Sequence, residues 1–217
     1  MGKYNNITGR TVDKIWNFIH HVEKVNDNVS LYRKVHKNTK QIKFKLKLDV
    51  KISSDGIKDK PFEFDAGVYS DLKMPVMEMS LHINPSYGKS QYCKINSMLN
   101  DVIRHEIEHL LQAGVNRKKG KVATTNILRY KAETSDMDVR MFNYLKLKDE
   151  IPANVFGMYR QAKLEKKPIT EIFDMHLKEY ALEYNLSTDQ AKHIFKKWYK
   201  FSKKHLPKAQ YAKIRYS

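Results

Sequence analysis

Residues 101–112, DVIRHEIEHLLQ, place the pattern H-E-x-x-H inside a segment with helical periodicity. From about Ile95 onward, apolar residues recur every three or four positions, as on the buried stripe of an amphipathic helix. The stripe consists of Met98, Leu99, Val102, Ile103, Ile107, Leu110 and Leu111. It ends just before Gly114, a residue type that commonly follows the last helical turn. The sequence therefore predicts a helix over about 95–113.

The spacing of the two histidines predicts a metal site on this helix. His105 and His109 are four residues apart, slightly more than one turn, so both imidazoles leave the same face. Zinc accepts imidazole nitrogen and tolerates a tetrahedral site that keeps one position open for water. Glu106 directly follows the first histidine, where its carboxylate reaches that water and can act as general base. The structural alternative is a pair of surface histidines with a glutamate between them.

A catalytic zinc site needs a third protein ligand, and two glutamates are candidates. Glu150 is favoured because it opens a predicted helix that could pack across the motif helix. Glu133, in Ala132-Glu133-Thr134, is the second candidate. Either carboxylate could instead complement the dipole at the start of its own helix. The sequence leaves this choice open.

Strands are expected before the motif helix. Residues 40–52, KQIKFKLKLDVKI, alternate lysine with apolar residues and predict a half-buried strand with a cationic outer face. A turn at 53–56 follows, then short strands near 62–64 and 67–72. Residues 76–83, VMEMSLHI, predict another strand, which ends at a turn beginning with Asn84-Pro85. This last strand is expected to offer an edge along which an extended peptide could lie.

Helices dominate the rest of the chain in this interpretation. One is expected over 11–36 with Thr11 as its N-cap, and residues 115–128 are expected to form a loop. Residues 132–147 look partly helical, and further helices are predicted over 152–163 and 170–184 and after the capping residue Ser187. Strands early and helices late predict an α+β fold with a small antiparallel or mixed sheet.

The domain prediction is a single domain over residues 1–217. The first helix and the sheet would occupy about 1–90, the active-site helix about 95–113, and a mainly helical part about 132–217.

Composition narrows the functional classes. Cys93 is the only cysteine, which excludes an intramolecular disulfide and a thiolate-rich metal site and fits a cytoplasmic protein. No apolar run is long enough to cross a bilayer, so no membrane partner is expected. Lys and Arg number 41 against 24 for Asp and Glu, a net charge of +17 that makes nucleic acid a candidate partner beside a protein or peptide substrate. The alternative is an ordinary lysine-rich surface.

Three stretches carry a resemblance to a known family: SLHINPSY (80–87), DVIRHEIEHLLQ (101–112) and YLKLKDEIPANVFGMYRQAK (144–163). They resemble the gluzincin branch of the zincin metallopeptidases, and more narrowly the small metallopeptidases encoded by tailed bacteriophages. The resemblance implies one zinc ion bound by His105, His109 and Glu150, with Glu106 as general base. It also implies an oxyanion-stabilising role for the Tyr144 hydroxyl. A phage origin would place the protein in the host cytoplasm or on the virion.

The chain departs from the gluzincin pattern at Ala153, where an aspartate is often found that orients a histidine ligand. Asp136 or Asp138 could take over that role, and the long gap from His109 to Glu150 keeps Glu133 open as a ligand. Two other functions also stay open. One is a basic, nucleic-acid-associated protein with a zinc site, including a protease acting on DNA, and the other is a phage structural or assembly protein.

For nucleic-acid binding, the sequence offers two candidate surfaces. One is the lysine-rich strand at 40–52, and the other consists of the aromatic residues near 198–201 and 211–216, which could stack on bases. In a final helix Phe195 and Trp198 more often pack into the core, and that interpretation is the favoured one.

Overall fold

A computed structural model describes residues 2–21, 28–37, 40–53, 55–57, 60–69, 74–86, 92–115 and 137–212. The Cα positions divide the chain into two compact units, Met1–Gly114 and Val115–Ser217, and each has a hydrophobic core of its own. Strands lie in the first unit, and the described part of the second is helical, so the fold class is α+β as predicted. The prediction of one domain over the whole chain stays a prediction.

The first unit contains a mixed four-stranded sheet in the described residues. Its strands are β1 (Asn28–Lys37), β2 (Lys40–Ile52), β3 (Phe62–Tyr69) and β4 (Val76–Ile83), in the order β1-β2-β4-β3. β2 and β4 run parallel, whereas β1 pairs with β2 and β3 pairs with β4 in antiparallel orientation. The two short strands predicted near 62–64 and 67–72 are thus one strand, β3.

The position of β4 corrects one prediction about the sheet. β4 pairs with β2 on one side and with β3 on the other, so it is a central strand and offers no edge to a peptide. Among the described strands, the edges of the sheet are β1 and β3. His82 on β4 contacts Ser53, with its Nε2 3.0 Å from the serine Oγ.

The alternation predicted for residues 40–52 is confirmed where side chains are described. Phe44, Leu46, Leu48 and Val50 are fully buried and pack on the core. The residues between them face outward, but not as a purely cationic surface: Asp49 is exposed, and Lys47 forms an ion pair with Glu78 at 2.6 Å.

The start of the chain differs from the prediction. Helix α1 spans Gly2–His21, so Thr11 lies in its middle instead of at its N-cap. The hydroxyls of Thr8 and Thr11 donate to the carbonyls of Tyr4 and Ile7, four residues back, which satisfies them inside the helix. The predicted helix over 11–36 is also wrong at its far end, because residues 28–37 form β1.

Helix α2, Tyr92–Val115, carries the H-E-x-x-H pattern and confirms the helix predicted over about 95–113. It begins three residues earlier than expected, and Gly114 belongs to it instead of capping it. Ile95, Leu99, Ile103 and Ile107 are buried at 1 % exposure or less in the core of the first unit, together with residues of the sheet and of α1. The apolar stripe therefore holds α2 in place, and the predicted loop at 115–128 lies outside the described residues apart from Val115.

In the second unit the described helices are α3 (Met137–Leu145), α4 (Glu150–Glu165), α5 (Ile169–Tyr184) and α6 (Thr188–His205). All four predicted helical regions are found. Ser187 caps α6 as predicted: its hydroxyl accepts from Gln190 N, and the Gln190 side chain accepts from Ser187 N. Phe195 and Trp198 are buried in the core of this unit, which confirms that they are packing residues.

None of the described helices combines the length and the apolar character that crossing a bilayer requires.

Candidate metal centre

Both histidines of the motif lie at the border of the buried stripe of α2. Ile107 and Leu110 are buried, whereas His105 and His109 are half-buried, so the imidazoles border the core without being enclosed by it. This placement follows from the sequence. At about 100° per residue, His105 and His109 both lie beside one edge of the apolar stripe, within about a quarter turn of it. A rigid, well-packed helix thus holds both rings.

The two imidazoles converge as the spacing predicts. The Nε2 atoms of His105 and His109 are 3.0 Å apart, and the ring planes make an angle of 73°. Two nitrogens bound to one tetrahedral zinc ion at the usual distances lie about 3.3 Å apart. The pair therefore needs only a small adjustment to bind a single ion.

Gln112 holds the ring of His109 in an orientation suited to a metal. The Oε1 atom of Gln112 is 3.0 Å from His109 Nδ1. An amide oxygen only accepts hydrogen bonds, so His109 Nδ1 donates and Nε2 keeps its lone pair. Metal-binding histidines typically have such a partner on the other ring nitrogen.

Glu106 lies beside the pair with its carboxylate out of solvent. The residue is 6 % exposed, and its Oε1 is 4.0 Å from His105 Nε2. Its Oε2 is buried and has no hydrogen-bond partner among the described residues. A carboxylate oxygen buried without a partner costs free energy. The Glu106 carboxylate thus keeps hydrogen-bonding capacity that the described residues do not use.

A second pair of charged residues lies on the neighbouring face of α2. Arg104 donates from Nη2 to Glu108 Oε2 at 2.9 Å, and both side chains are largely buried. The guanidinium carbon of Arg104 is 5.7 Å from the centroid of the Tyr4 ring of α1. Burial raises the pKa of Tyr4, and the negative charge of Glu108 adds to this effect while Arg104 opposes it. These contacts tie α2 to α1 in the first unit.

The predicted third ligand, Glu150, is the first residue of α4 and is fully buried. A solvated carboxylate that merely complements a helix dipole would be exposed, so its burial favours a more specific role. His105 and His109 on α2 and Glu150 on α4 each offer one atom of a type that binds metal ions, two imidazole nitrogens and a carboxylate oxygen. Two imidazoles and one carboxylate are a ligand set of catalytic zinc sites.

The other predicted site residues are only partly described. Tyr144 lies in α3, half-buried against the core of the second unit. Glu133 and Asp136 lie outside the described residues, and of Asp138 only the backbone is described, as part of α3. Ala153, at the position of the absent aspartate, is buried in α4.

Sequence reasoning missed Gln112. A signal was present, because Gln112 follows His109 by three residues and such positions are neighbours on a helix surface. The Arg104–Glu108 pair, four residues apart, could have been found by the same rule.

Neither the scan of protein-family models nor the searches of curated proteins and of solved structures found a match for this chain.

Proposed function

We propose that this protein is a zinc-dependent peptide hydrolase. The observation that carries the proposal is the convergence of the His105 and His109 Nε2 atoms, 3.0 Å apart, beside the buried carboxylate of Glu106. General-base catalysis requires a carboxylate lone pair close to the ion, and Glu106 Oε1 lies 4.0 Å from His105 Nε2. The resemblance to gluzincins supports the same assignment.

The ion would be held by His105, His109 and Glu150. Three protein ligands leave one coordination position for water or substrate, as catalytic zinc sites require. Zinc in this position would polarise the scissile carbonyl and lower the pKa of water. The hydrogen bond from His109 Nδ1 to Gln112 orients one ligand without the aspartate that Ala153 replaces.

Glu106 performs the proton transfers in the proposed reaction. It accepts a proton from water as the water oxygen bonds to the carbonyl carbon of the peptide. It then donates that proton to the amide nitrogen as the carbon–nitrogen bond breaks, which releases an amine and a carboxylic acid. We further propose that the Tyr144 hydroxyl donates to the developing oxyanion, a role that Tyr144→Phe tests by lowering kcat with unchanged zinc content.

The proposal is tested by measuring zinc and activity in the same preparations. Wild-type protein is expected to hold one equivalent of zinc by elemental analysis and to cleave a labelled unstructured protein such as casein. His105→Ala should lose the zinc, whereas His82→Ala, a half-buried histidine on β4, should keep it. Glu106→Gln should keep the zinc and lose activity by a factor of about 10²–10⁴.

Glu63→Gln, an exposed glutamate of β3, serves as the matched control for the carboxylate and should leave activity unchanged. Full activity in Glu106→Gln would remove the role given to this residue. If wild-type protein holds one equivalent of zinc but cleaves no unstructured substrate, a structural or assembly role for the metal is favoured instead.

A further inference from the structure

Helix α6 presents a continuous cationic surface. Six of its lysines are exposed, and we refer to them as the lysine face: Lys192, Lys196, Lys197, Lys200, Lys203 and Lys204. The residues that α6 buries are Ile194, Phe195, Trp198 and Ser202. One side of the helix thus packs into the core of its unit, and the exposed side consists largely of lysine.

The lysine face is narrow and long. At 3.6 residues per turn, all six lysines fall within an arc of about 140°, and the distance along the axis from Lys192 to Lys204 is about 18 Å. Lys192, Lys196, Lys200 and Lys204 follow one another four residues apart, which spaces them by about 6 Å. The only acidic residue of α6, Asp189, lies in its first turn, where it complements the helix dipole.

The lysines of this face differ from those lysines of the protein that pair with a carboxylate. Lys47, Lys60 and Lys178 form ion pairs with Glu78, Glu63 and Asp174, respectively. Within the part of the chain that the structure describes, no lysine of the face lies at ion-pair distance from a carboxylate. Its positive charge is therefore not neutralised locally.

A further cation extends the lysine face. Lys146, at the end of α3, places its Nζ 3.6 Å from the centroid of the Phe142 ring. Burial lowers the pKa of Lys146, and the neighbouring ammonium group of Lys197 lowers it further. Like charges thus lie close together on this surface, a repulsion that an anionic partner would relieve.

We infer that the lysine face of α6 binds the phosphate backbone of double-stranded nucleic acid. B-DNA carries one negative charge per roughly 1.7 Å of its axis, so the face can meet several phosphates at once. A membrane surface fits less well, because helices that bind in the membrane interface also bury apolar side chains there, and every exposed residue on this side of α6 is polar or charged.

Recognition by this surface would not depend on base sequence. Trp198 is buried, and Tyr199 and Phe201 are half-buried against the core of their unit, so aromatic stacking on unpaired bases is not offered by α6. Lysine contacts to phosphates position a protein on a duplex and carry no sequence information. The lysine face contains no residue of the metal centre, so its binding to nucleic acid is independent of the proposed hydrolase activity.

The test compares two full-length variants that lose the same charge. Lys196, Lys200 and Lys204 are changed to Gln in one variant, and the paired lysines Lys47, Lys60 and Lys178 in the other. Binding to a fluorescent 30-base-pair DNA duplex is measured by anisotropy between 50 and 300 mM salt. The affinity of the face variant for the duplex at 0.1 M salt should fall about eightfold for each phosphate that it no longer neutralises. If each of the three lysines neutralises one phosphate, the slope of log affinity against log salt concentration should become shallower by about 2.7 in total.

The control variant should bind like the wild type, and so should a face variant with Arg in place of the three lysines. Equal losses in both Gln variants would show that only the net charge matters and would overturn the inference. Absence of duplex binding by the wild type at 50 mM salt would overturn it as well. So would tighter binding to polyglutamate, or to vesicles with anionic lipid, than to DNA at equal charge concentration.

Discussion

Burial of the Glu106 side chain is costly for the fold. Burying a carboxylate is unfavourable unless partners replace its hydration, and its Oε2 has no hydrogen-bond partner among the described residues. Arg104 and Glu108, on the same helix, pair directly at 2.9 Å. The Glu106 carboxylate has no cation paired with it among the described ion pairs, which supports the chemical role that we propose for it.

The hydrogen bond between Gln112 and His109 is predicted to strengthen zinc binding. If Gln112 Oε1 fixes the tautomer of His109, Gln112→Ala should weaken zinc binding by about 10–100-fold, because the ring loses its orientation. Gln112→Glu keeps an acceptor oxygen and should bind zinc at least as tightly as the wild type. Competition with a chromogenic chelator measures both affinities. Unchanged affinity in Gln112→Ala would show that the hydrogen bond does not position the ring.

The core of the site was predictable because it is local in sequence. His105, Glu106 and His109 lie within about one helical turn, so their relative positions follow from helix geometry once the helix is identified. The third ligand was not predictable to the same degree. Glu150 and Glu133 are distant in sequence from the motif, and spacing along the chain does not decide between them.

The N-terminal cap of helix α6 is expected to stabilise the fold by a measurable free energy. Ser187 and Gln190 satisfy each other's backbone amides in a capping box. Ser187→Ala removes one of these bonds and should lower the free energy of unfolding by about 1 kcal/mol. Urea denaturation followed by circular dichroism at 222 nm measures the change. The neighbouring exposed Thr188→Ala, which leaves the cap intact, should stay within about 0.5 kcal/mol of the wild type.

The elements that were predicted well are those whose signals are local. The capping box at Ser187, the alternation in β2 and the apolar stripe of α2 each follow from short-range patterns. The errors have non-local or ambiguous causes. β1 is a strand because it pairs along its whole length with β2, from Asn28 opposite Asp49 to Lys37 opposite Lys40. Its apolar residues alternate incompletely, so the local pattern is ambiguous between strand and helix.

Thr11 misled the prediction for a different reason. Threonine is a common N-cap, but here its hydroxyl finds an acceptor in the preceding turn, on Ile7, so it can sit inside the helix. The helix continues back to Gly2 because Tyr4 and Ile7 also pack against the core of the first unit.

The net charge of +17 is informative about partners only when its distribution over the surface is considered. Lys47 on β2, Lys60 just before β3 and Lys178 on α5 each pair with a carboxylate, whereas among the described residues the lysines of the lysine face do not. The sequence alone suggested nucleic acid from the total charge and drew attention to the strand at 40–52. We assign nucleic-acid binding to α6 instead, since Lys47 on that strand is paired and the acidic Asp49 is exposed on the same side.

Zinc should raise the stability of the whole protein. An ion that binds the folded chain and not the unfolded one adds about 2.7 kcal/mol at a free concentration of 100 times its Kd. For a chain of this size that corresponds to a rise in Tm of roughly 5–10 °C. Calorimetry of zinc-loaded and chelator-treated protein measures the difference. His105→Ala and Glu150→Gln should each reduce the shift because each removes a proposed ligand, whereas His82→Ala should preserve it. If the zinc-induced rise in Tm persists in His105→Ala, the stabilising ion binds at other residues. If the rise is lost in His105→Ala but persists in Glu150→Gln, Glu133 becomes the candidate for the third ligand.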